Sequence, residues 1–108
     1  MTSGYKIRWL RTALKNLDAE ADYIAQDNPQ AAADLVKRVL DSVDVLAKHP
    51  AIGRPGRVPD TRELVVTGTP YIVPYIVPYM VEGKAVHILR VFQGARRLPS
   101  GFKSERGG

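Results

Sequence analysis

The chain has 108 residues, of which 44% are apolar and 25% charged, a size and composition typical of one globular domain. It contains no cysteine, which excludes disulfides and cysteine-ligated metal sites and suits a reducing compartment. The net charge of +5 lies entirely in residues 84–108, which hold six basic residues and one acidic residue, whereas residues 1–83 hold ten of each. This asymmetry favours an acidic partner, with a solvated basic tail as the simpler alternative.

Neither a secretory signal nor a membrane span is expected from the sequence. Charged side chains interrupt residues 1–9, where a signal peptide needs an apolar core. The longest nearly uncharged apolar stretch, residues 70–81, is too short to cross a bilayer and contains three prolines. We therefore expect an intracellular, cytoplasmic protein without membrane association.

A strand and a helix are predicted over the first quarter of the chain. Tyr5, Ile7 and Trp9 alternate with Lys6, Arg8 and Leu10, which is the period of a half-buried strand. Thr12 is the expected cap of the first helix, which ends near Asp27. The buried face of this helix is expected to carry four apolar residues at three- and four-residue spacing: Leu14, Leu17, Ala21 and Ile24.

Asn28 and Pro29 predict the start of a second helix, because a capping side chain precedes a proline at the first helical position. This helix is expected to stop at residues 48–50. So short a link between the two helices predicts that they pack as an antiparallel hairpin. The buried face of the second helix is predicted to consist of Ala32, Leu35, Val36, Val39, Val43 and Leu46.

The second half of the chain is predicted to form a loop and three strands. Residues 50–60 contain three prolines and two glycines and should form the loop. The strands are expected at residues 62–67, 71–81 and 85–92. The order β-α-α-β-β-β gives an α+β domain with a helical hairpin on a small antiparallel sheet. We place this single domain at residues 1–99 and a flexible basic tail at 100–108.

The middle strand contains a tandem duplication, in which Ile72-Val-Pro-Tyr75 is repeated as Ile76-Val-Pro-Tyr79. A four-residue repeat preserves which side chains face the core. One face should therefore carry Tyr71, Val73, Tyr75, Val77, Tyr79 and Val81. Pro74 and Pro78 cannot donate ladder hydrogen bonds, which predicts an edge or a bulge here. We interpret the segment as an extended, bulged strand rather than a functional repeat.

Arginine is the residue type with the clearest functional potential. His49 and His87 are the only histidines and have no clustered carboxylates beside them, so we expect no metal, no cofactor and no hydrolase triad. Guanidinium groups make bidentate contacts to phosphate or carboxylate. The candidates are Arg54, Arg57, Arg62, Arg90, Arg96 and Arg97. The structural alternative is solvated charge, or an ion pair such as Arg62 with Glu63 or Glu82.

Five short motifs resemble the RelE/ParE superfamily of type II toxins. They occur in the family's order and spacing over about residues 5–99, and they are Asn28-Pro-x-Ala-Ala32, Gly53-Arg-Pro-Gly56, Thr61-Arg-Glu-Leu-Val65, Pro70-Tyr-Ile-Val-Pro-Tyr75 and Ile88-Leu-Arg-Val-x-x-Gly-Ala-Arg96. The resemblance implies the fold deduced above. It also implies a toxin that is neutralised by an acidic antitoxin.

The superfamily resemblance implies two target classes: RelE-like toxins cut mRNA on the ribosome, and ParE-like toxins poison DNA gyrase. The position of the RelE-like arginine in the middle strand falls at Ile72, and the C-terminal region offers Phe102 instead of a tyrosine. We therefore prefer gyrase inhibition without a catalytic residue. The alternatives are a ribosome-dependent endoribonuclease using Arg62, Arg90 and Arg96, and a non-toxic module that only co-represses with its antitoxin.

The resemblance further implies two contact surfaces on the domain. The expected target-binding residues are Arg90, Gln93, Arg96 and Arg97. The expected antitoxin-binding residues are Arg62, Tyr75, Tyr79 and Lys103. Such an antitoxin would pair with the sheet edge and lay an amphipathic helix in a groove.

Overall fold

The computed structural model describes residues 4–78 and 84–94, and the predicted tail at 100–108 lies outside them. Two helices pack on a six-stranded sheet. The elements are β1 (Lys6–Trp9), α1 (Arg11–Ala25), α2 (Pro29–Asp44), a 3-10 turn (Val45–Ala47), β2 (Arg54–Pro55), β3 (Arg62–Val65), β4 (Tyr71–Ile76), β5 (Ala85–Ile88) and β6 (Phe92–Gln93). The α+β class and the order of the predicted elements are confirmed, and β2 is an additional strand within the predicted loop.

The sheet is mixed, which corrects the prediction of a purely antiparallel one. Its strand order is β1-β5-β4-β3-β2, with β6 paired to the beginning of β4. β1 runs parallel to β5, and the remaining pairs are antiparallel. A parallel pair requires a long crossover connection, and the two helices and the intervening strands between β1 and β5 supply it.

The core lies between the helices and one face of the sheet. Predicted residues of α2 are buried as expected, with Val39 and Val43 fully enclosed and Val36 partly buried. Leu14 of α1 is 45% exposed instead, and Ala13 is fully buried. Each residue turns a helix by about 100°, so burial of Ala13 and Leu17 rotates Leu14 toward solvent. The other principal core residues are Leu35, Leu46, Leu64, Val66, Val73, Tyr75, Val86 and Ile88.

The two helices begin in different ways. Asn28 caps α2 as predicted, since its Oδ1 accepts a hydrogen bond from the backbone N–H of Ala31 at 3.0 Å. The prediction for α1 was wrong, because the helix begins at Arg11 and Thr12 lies inside it. Leu10 occupies the cap position and its side chain makes no capping hydrogen bond. Neither helix within the described residues is long and apolar enough to cross a membrane.

A bulge divides the predicted last strand into β5 and β6. Tyr75 pairs with Ile88 and Ile72 pairs with Phe92, so residues 73–74 of β4 face residues 89–91. The Pro74 carbonyl accepts from the Leu89 N–H at 2.9 Å, which shows that the proline nitrogen also faces the bulge. The missing N–H of Pro74 therefore falls where the ladder is already interrupted. Pro74 therefore lies at a bulge, one of the two predicted alternatives, although the extra residue is in the neighbouring strand.

The duplicated segment forms a shorter strand than predicted. Tyr71, Val73 and Tyr75 share the core face as expected, and all three are buried. β4 ends at Ile76, and Val77 packs against the core as a partly buried residue beyond it. Pro78 also lies beyond the strand, while Tyr79 and Val81 lie outside the described residues.

Replacing Asn28 with alanine removes the acceptor that caps α2. We expect Asn28→Ala to lower the free energy of unfolding by about 1 kcal/mol. Asn28→Asp is the matched control, because it retains an acceptor oxygen near the same N–H and should stay within about 0.5 kcal/mol of the parent. Urea unfolding followed by circular dichroism measures both variants. An equal loss in both would contradict the capping role.

Candidate functional site

The face of the sheet that points away from the helices carries a groove of about 240 Å³. Side chains alternate along a strand, so Glu63 and Pro74, which are cross-strand neighbours, lie opposite the core residues Leu64 and Val73. The groove has an apolar lining and two arginines at its margins. Its apolar residues are Val58, Pro74, Leu89 and Phe92, and the arginines are Arg57 and Arg90.

A buried carboxylate organises one wall of this groove. Glu63 is 5% exposed, and its Oε1 accepts hydrogen bonds from Nε and Nη2 of Arg54 at 3.2 and 3.1 Å. Its Oε2 accepts from the backbone N–H of Arg57 at 3.3 Å and lies 3.6 Å from the Nε of that arginine. A buried charge is tolerated only when it is paired and hydrogen-bonded, and both oxygens of Glu63 meet that condition.

The pairing corrects the alternative in which Arg62 contacts Glu63. Neighbouring residues on a strand point to opposite faces, so these two side chains diverge. The Nη1 of Arg62 donates to the carbonyls of Gly53 and Ala51 at 2.7 and 3.2 Å. Arg62 therefore fastens the start of the loop, while Arg54 and Arg57 neutralise Glu63.

Tyr75 fastens the same loop from the core side. Its hydroxyl donates to the Pro50 carbonyl at 2.7 Å and accepts from the Gly53 N–H at 2.9 Å. Burial raises the pKa of Tyr75, because the charged phenolate would lose its hydration. A Cβ on Gly53 would lie 2.6 Å from the tyrosine oxygen, so glycine permits this close approach. Tyr75 is 0% exposed, which corrects its predicted role in antitoxin binding, because a fully buried side chain offers no surface to a partner.

Arg90 reaches the opposite margin of the groove from the bulge. The next residue, Val91, is buried in the core, and its N–H donates to the Asn16 Oδ1 of α1 at 3.1 Å. Asn16 thus satisfies a donor that the interrupted ladder leaves without a strand partner. With Val91 held inward, Arg90 is exposed at the groove.

The structure does not bring the predicted site residues together in one place. Gln93 lies in β6, and its Nε2 donates to the Tyr71 hydroxyl at 3.5 Å, which in turn donates to Glu20 Oε1 at 2.8 Å. The structure brings Arg90 into the groove and uses Arg62 and Tyr75 to fix the loop. Arg96, Arg97, Tyr79 and Lys103 lie outside the described residues.

Sequence reasoning missed the cluster of Glu63 with its two arginines and the supporting role of Asn16. The run of arginines at 54, 57 and 62 beside Glu63 was the available signal. It could not indicate which guanidinium meets the carboxylate, because that depends on the path of the loop. Among the described residues, no group of three or more His, Asp or Glu side chains could hold a metal ion.

The sequence and the fold can be compared with those of known proteins. A family model described as the ParE toxin of the type II toxin–antitoxin system parDE matches residues 7–98. The chain belongs to this ParE toxin family. The toxin is therefore a RelE/ParE superfamily member close to ParE, as its motifs indicated.

Individual relatives agree with this family. The toxin is 48% identical over 80 residues to the Sinorhizobium fredii protein Y4kP, covering 74% of the chain and 83% of the relative. It is 37% identical over 91 residues to Toxin RelE2 of Caulobacter vibrioides, covering 84% and 97%. One of these relatives carries the RelE name, whereas the matching family model carries the ParE name.

Two solved structures show the same fold. A chain of the chromosomal ParDE system from P. aeruginosa has a TM-score of 0.71 and 29% identity, covering 85% of the toxin and 98% of that chain. A chain of the RelBE2 toxin–antitoxin complex from Mycobacterium tuberculosis has a TM-score of 0.55 and 25% identity, covering 83% and 98%.

Asn16→Ala should destabilise the toxin, because the buried N–H of Val91 would lose its acceptor. The expected loss in the free energy of unfolding is about 1 to 3 kcal/mol. Asn16→Asp keeps an acceptor oxygen at the same place and should lose less than half as much. Urea unfolding measures the difference. If aspartate were as damaging as alanine, the hydrogen bond to the bulge would not be the cause.

Glu63→Gln should also destabilise the toxin, because two arginines would lose their shared counter-ion. We expect a loss of about 2 kcal/mol, below the value for a fully buried ion pair, since both arginines are about half exposed. Asp41→Asn is the matched control, since it removes the exposed Lys37–Asp41 pair and should cost at most about 0.5 kcal/mol. Equal losses in the two variants, measured by thermal or urea unfolding, would contradict the role of Glu63.

Proposed function

We propose that the toxin inhibits DNA gyrase in the cytoplasm by binding it, and that a cognate acidic antitoxin neutralises it. The observation that carries this proposal is the groove, in which the described residues offer arginines without an available general base. Its carboxylate, Glu63, is buried and engaged at both oxygens. Membership of the ParE family supports the same conclusion.

Ribonuclease chemistry needs a base for the 2′-hydroxyl and cationic stabilisation of the transition state. Within the described residues, the groove supplies the cations alone. Tyr75 is enclosed in the core, and its hydroxyl is bonded to the loop backbone. His87 pairs with Ile76 farther along the sheet and does not line the groove. Ile72, at the position of the RelE-like arginine, is apolar and 8% exposed.

The proposed gyrase-binding surface consists of Arg90 and Gln93 with Arg96 and Arg97, which follow in sequence. Arg90 is exposed and makes no ion pair within the described part of the chain, which suits contact with an acidic partner. Gln93 is half-buried and bonded to Tyr71, so it supports this surface at its inner side.

The proposed antitoxin would add a strand to an open edge of the sheet and contact Tyr79, Lys103 and the margin near Arg62. β2 pairs only with Arg62 and Glu63, so the outer edge of β3 continues past β2 at Leu64 and Val65. An unpaired strand edge offers main-chain hydrogen bonds to an incoming strand. The RelBE2 relative is itself a toxin–antitoxin complex, which supports a partner of this kind.

The proposal is tested by adding purified toxin to gyrase in a supercoiling assay and by mapping mRNA 5′ ends after brief induction in cells. We expect loss of supercoiling at micromolar toxin, and no new cuts inside translated codons. Adding an excess of antitoxin should restore supercoiling. Discrete codon-associated cuts with unaffected gyrase would instead support the endoribonuclease using Arg62, Arg90 and Arg96. Normal growth without antitoxin would support the co-repressor alternative.

A further inference from the structure

We infer that the groove docks an acidic segment of the protein target, with a carboxylate held between Arg57 and Arg90 and a neighbouring apolar side chain against the groove floor. This inference rests on the proposed function, because the target is taken to be gyrase. It adds Arg57, Val58 and Phe92 to the binding surface and specifies the chemistry of what they bind.

Arg57 is held in position before any partner arrives. Its backbone N–H and Nε meet Glu63, and its guanidinium carbon lies 5.7 Å from the centre of the Phe92 ring. The side chain is nevertheless 54% exposed, so part of it still faces the groove. A pre-positioned cation loses less conformational entropy on binding than a free surface arginine does. Arg57 is therefore both a member of the Glu63 cluster and available for binding.

The charge and lining of the groove determine which ligand fits. Arg57, Arg90 and Glu63 line the groove, and Glu63 is also paired with Arg54, so these four side chains together carry a charge of +2. Val58 is 62% exposed at the mouth, and Pro74 and Leu89 contribute further apolar surface. Guanidinium groups bind carboxylates in a bidentate manner, and the aliphatic surface suits a Leu, Ile or Val side chain. An acidic residue beside an aliphatic one satisfies both features.

A nucleic-acid strand fits the same groove less well. Proteins that bind single strands provide aromatic rings for base stacking along a track of cations. Phe92 is the aromatic residue that lines this groove, and the Arg57 guanidinium already covers one face of its ring. The other apolar lining residues, Val58, Pro74 and Leu89, have no aromatic ring. The geometry therefore favours a protein segment over a nucleic acid.

Charge changes at Val58 test the inference without removing any side chain of the Glu63 cluster. Val58→Asp should weaken inhibition of gyrase supercoiling by about tenfold, because the new carboxylate repels an acidic segment and competes for the two arginines. Val58→Lys should inhibit more strongly than Val58→Asp, because its ammonium group attracts the same acidic segment. Lys15→Gln, an exposed change on α1, is the control and should leave inhibition unchanged. Similar inhibition by the Asp and Lys variants would overturn the inference.

Photo-cross-linking identifies what occupies the groove. Benzoylphenylalanine at position 58 should cross-link to an acidic segment of gyrase, located by mass spectrometry of the purified complex with DNA. The same group at Tyr23, which is 71% exposed on α1, is the control and should not reach that segment. A cross-link to DNA, or none in a complex that still inhibits, would overturn the inference. Absence of inhibition by the parent toxin would instead contradict the proposed function.

Discussion

The carboxylate of Glu63 connects the path of the long loop to the chemistry of the open sheet face. It is buried on β3, yet two arginines from the loop meet it, one through each oxygen. A buried carboxylate without partners would be costly, so the loop must fold back across the sheet to neutralise it. The same fold-back places Arg57 over Phe92 and forms one wall of the groove. The burial of Glu63 therefore determines both the path of the loop and one wall of the groove.

The other wall of the groove, which carries Arg90, depends on the missing N–H group of Pro74. Pro74 has no N–H to donate, and the strand beside it bulges at residues 89–91. The bulge would leave the N–H of Val91 unpaired in the core, and Asn16 accepts it from α1. This contact turns Val91 inward and leaves Arg90 at the groove. Helix α1, on one face of the sheet, thus helps to position Arg90 on the other face through the hydrogen bond of Asn16 to Val91.

These two devices determine which side chains remain available at the groove. Among the described residues, arginines engage the carboxylate of Glu63, and loop backbone groups engage the hydroxyl of Tyr75. The exposed parts of Arg57 and Arg90 keep their charge for a partner. This arrangement supports the proposal that the toxin acts by binding its target.

The sequence by itself determined the features that depend on local spacing and backbone chemistry. Asn28 and Pro29 located the start of α2, and alternation identified Tyr71, Val73 and Tyr75 as core residues. Pro74 required either a sheet edge or a bulge beside it. Only the tertiary structure decided that Leu14 faces solvent, that β1 runs parallel to β5, and that Glu63 pairs with Arg54 and Arg57 and not with Arg62. Periodicity shows which side of an element is buried, whereas ion-pair partners and strand neighbours depend on how distant segments meet.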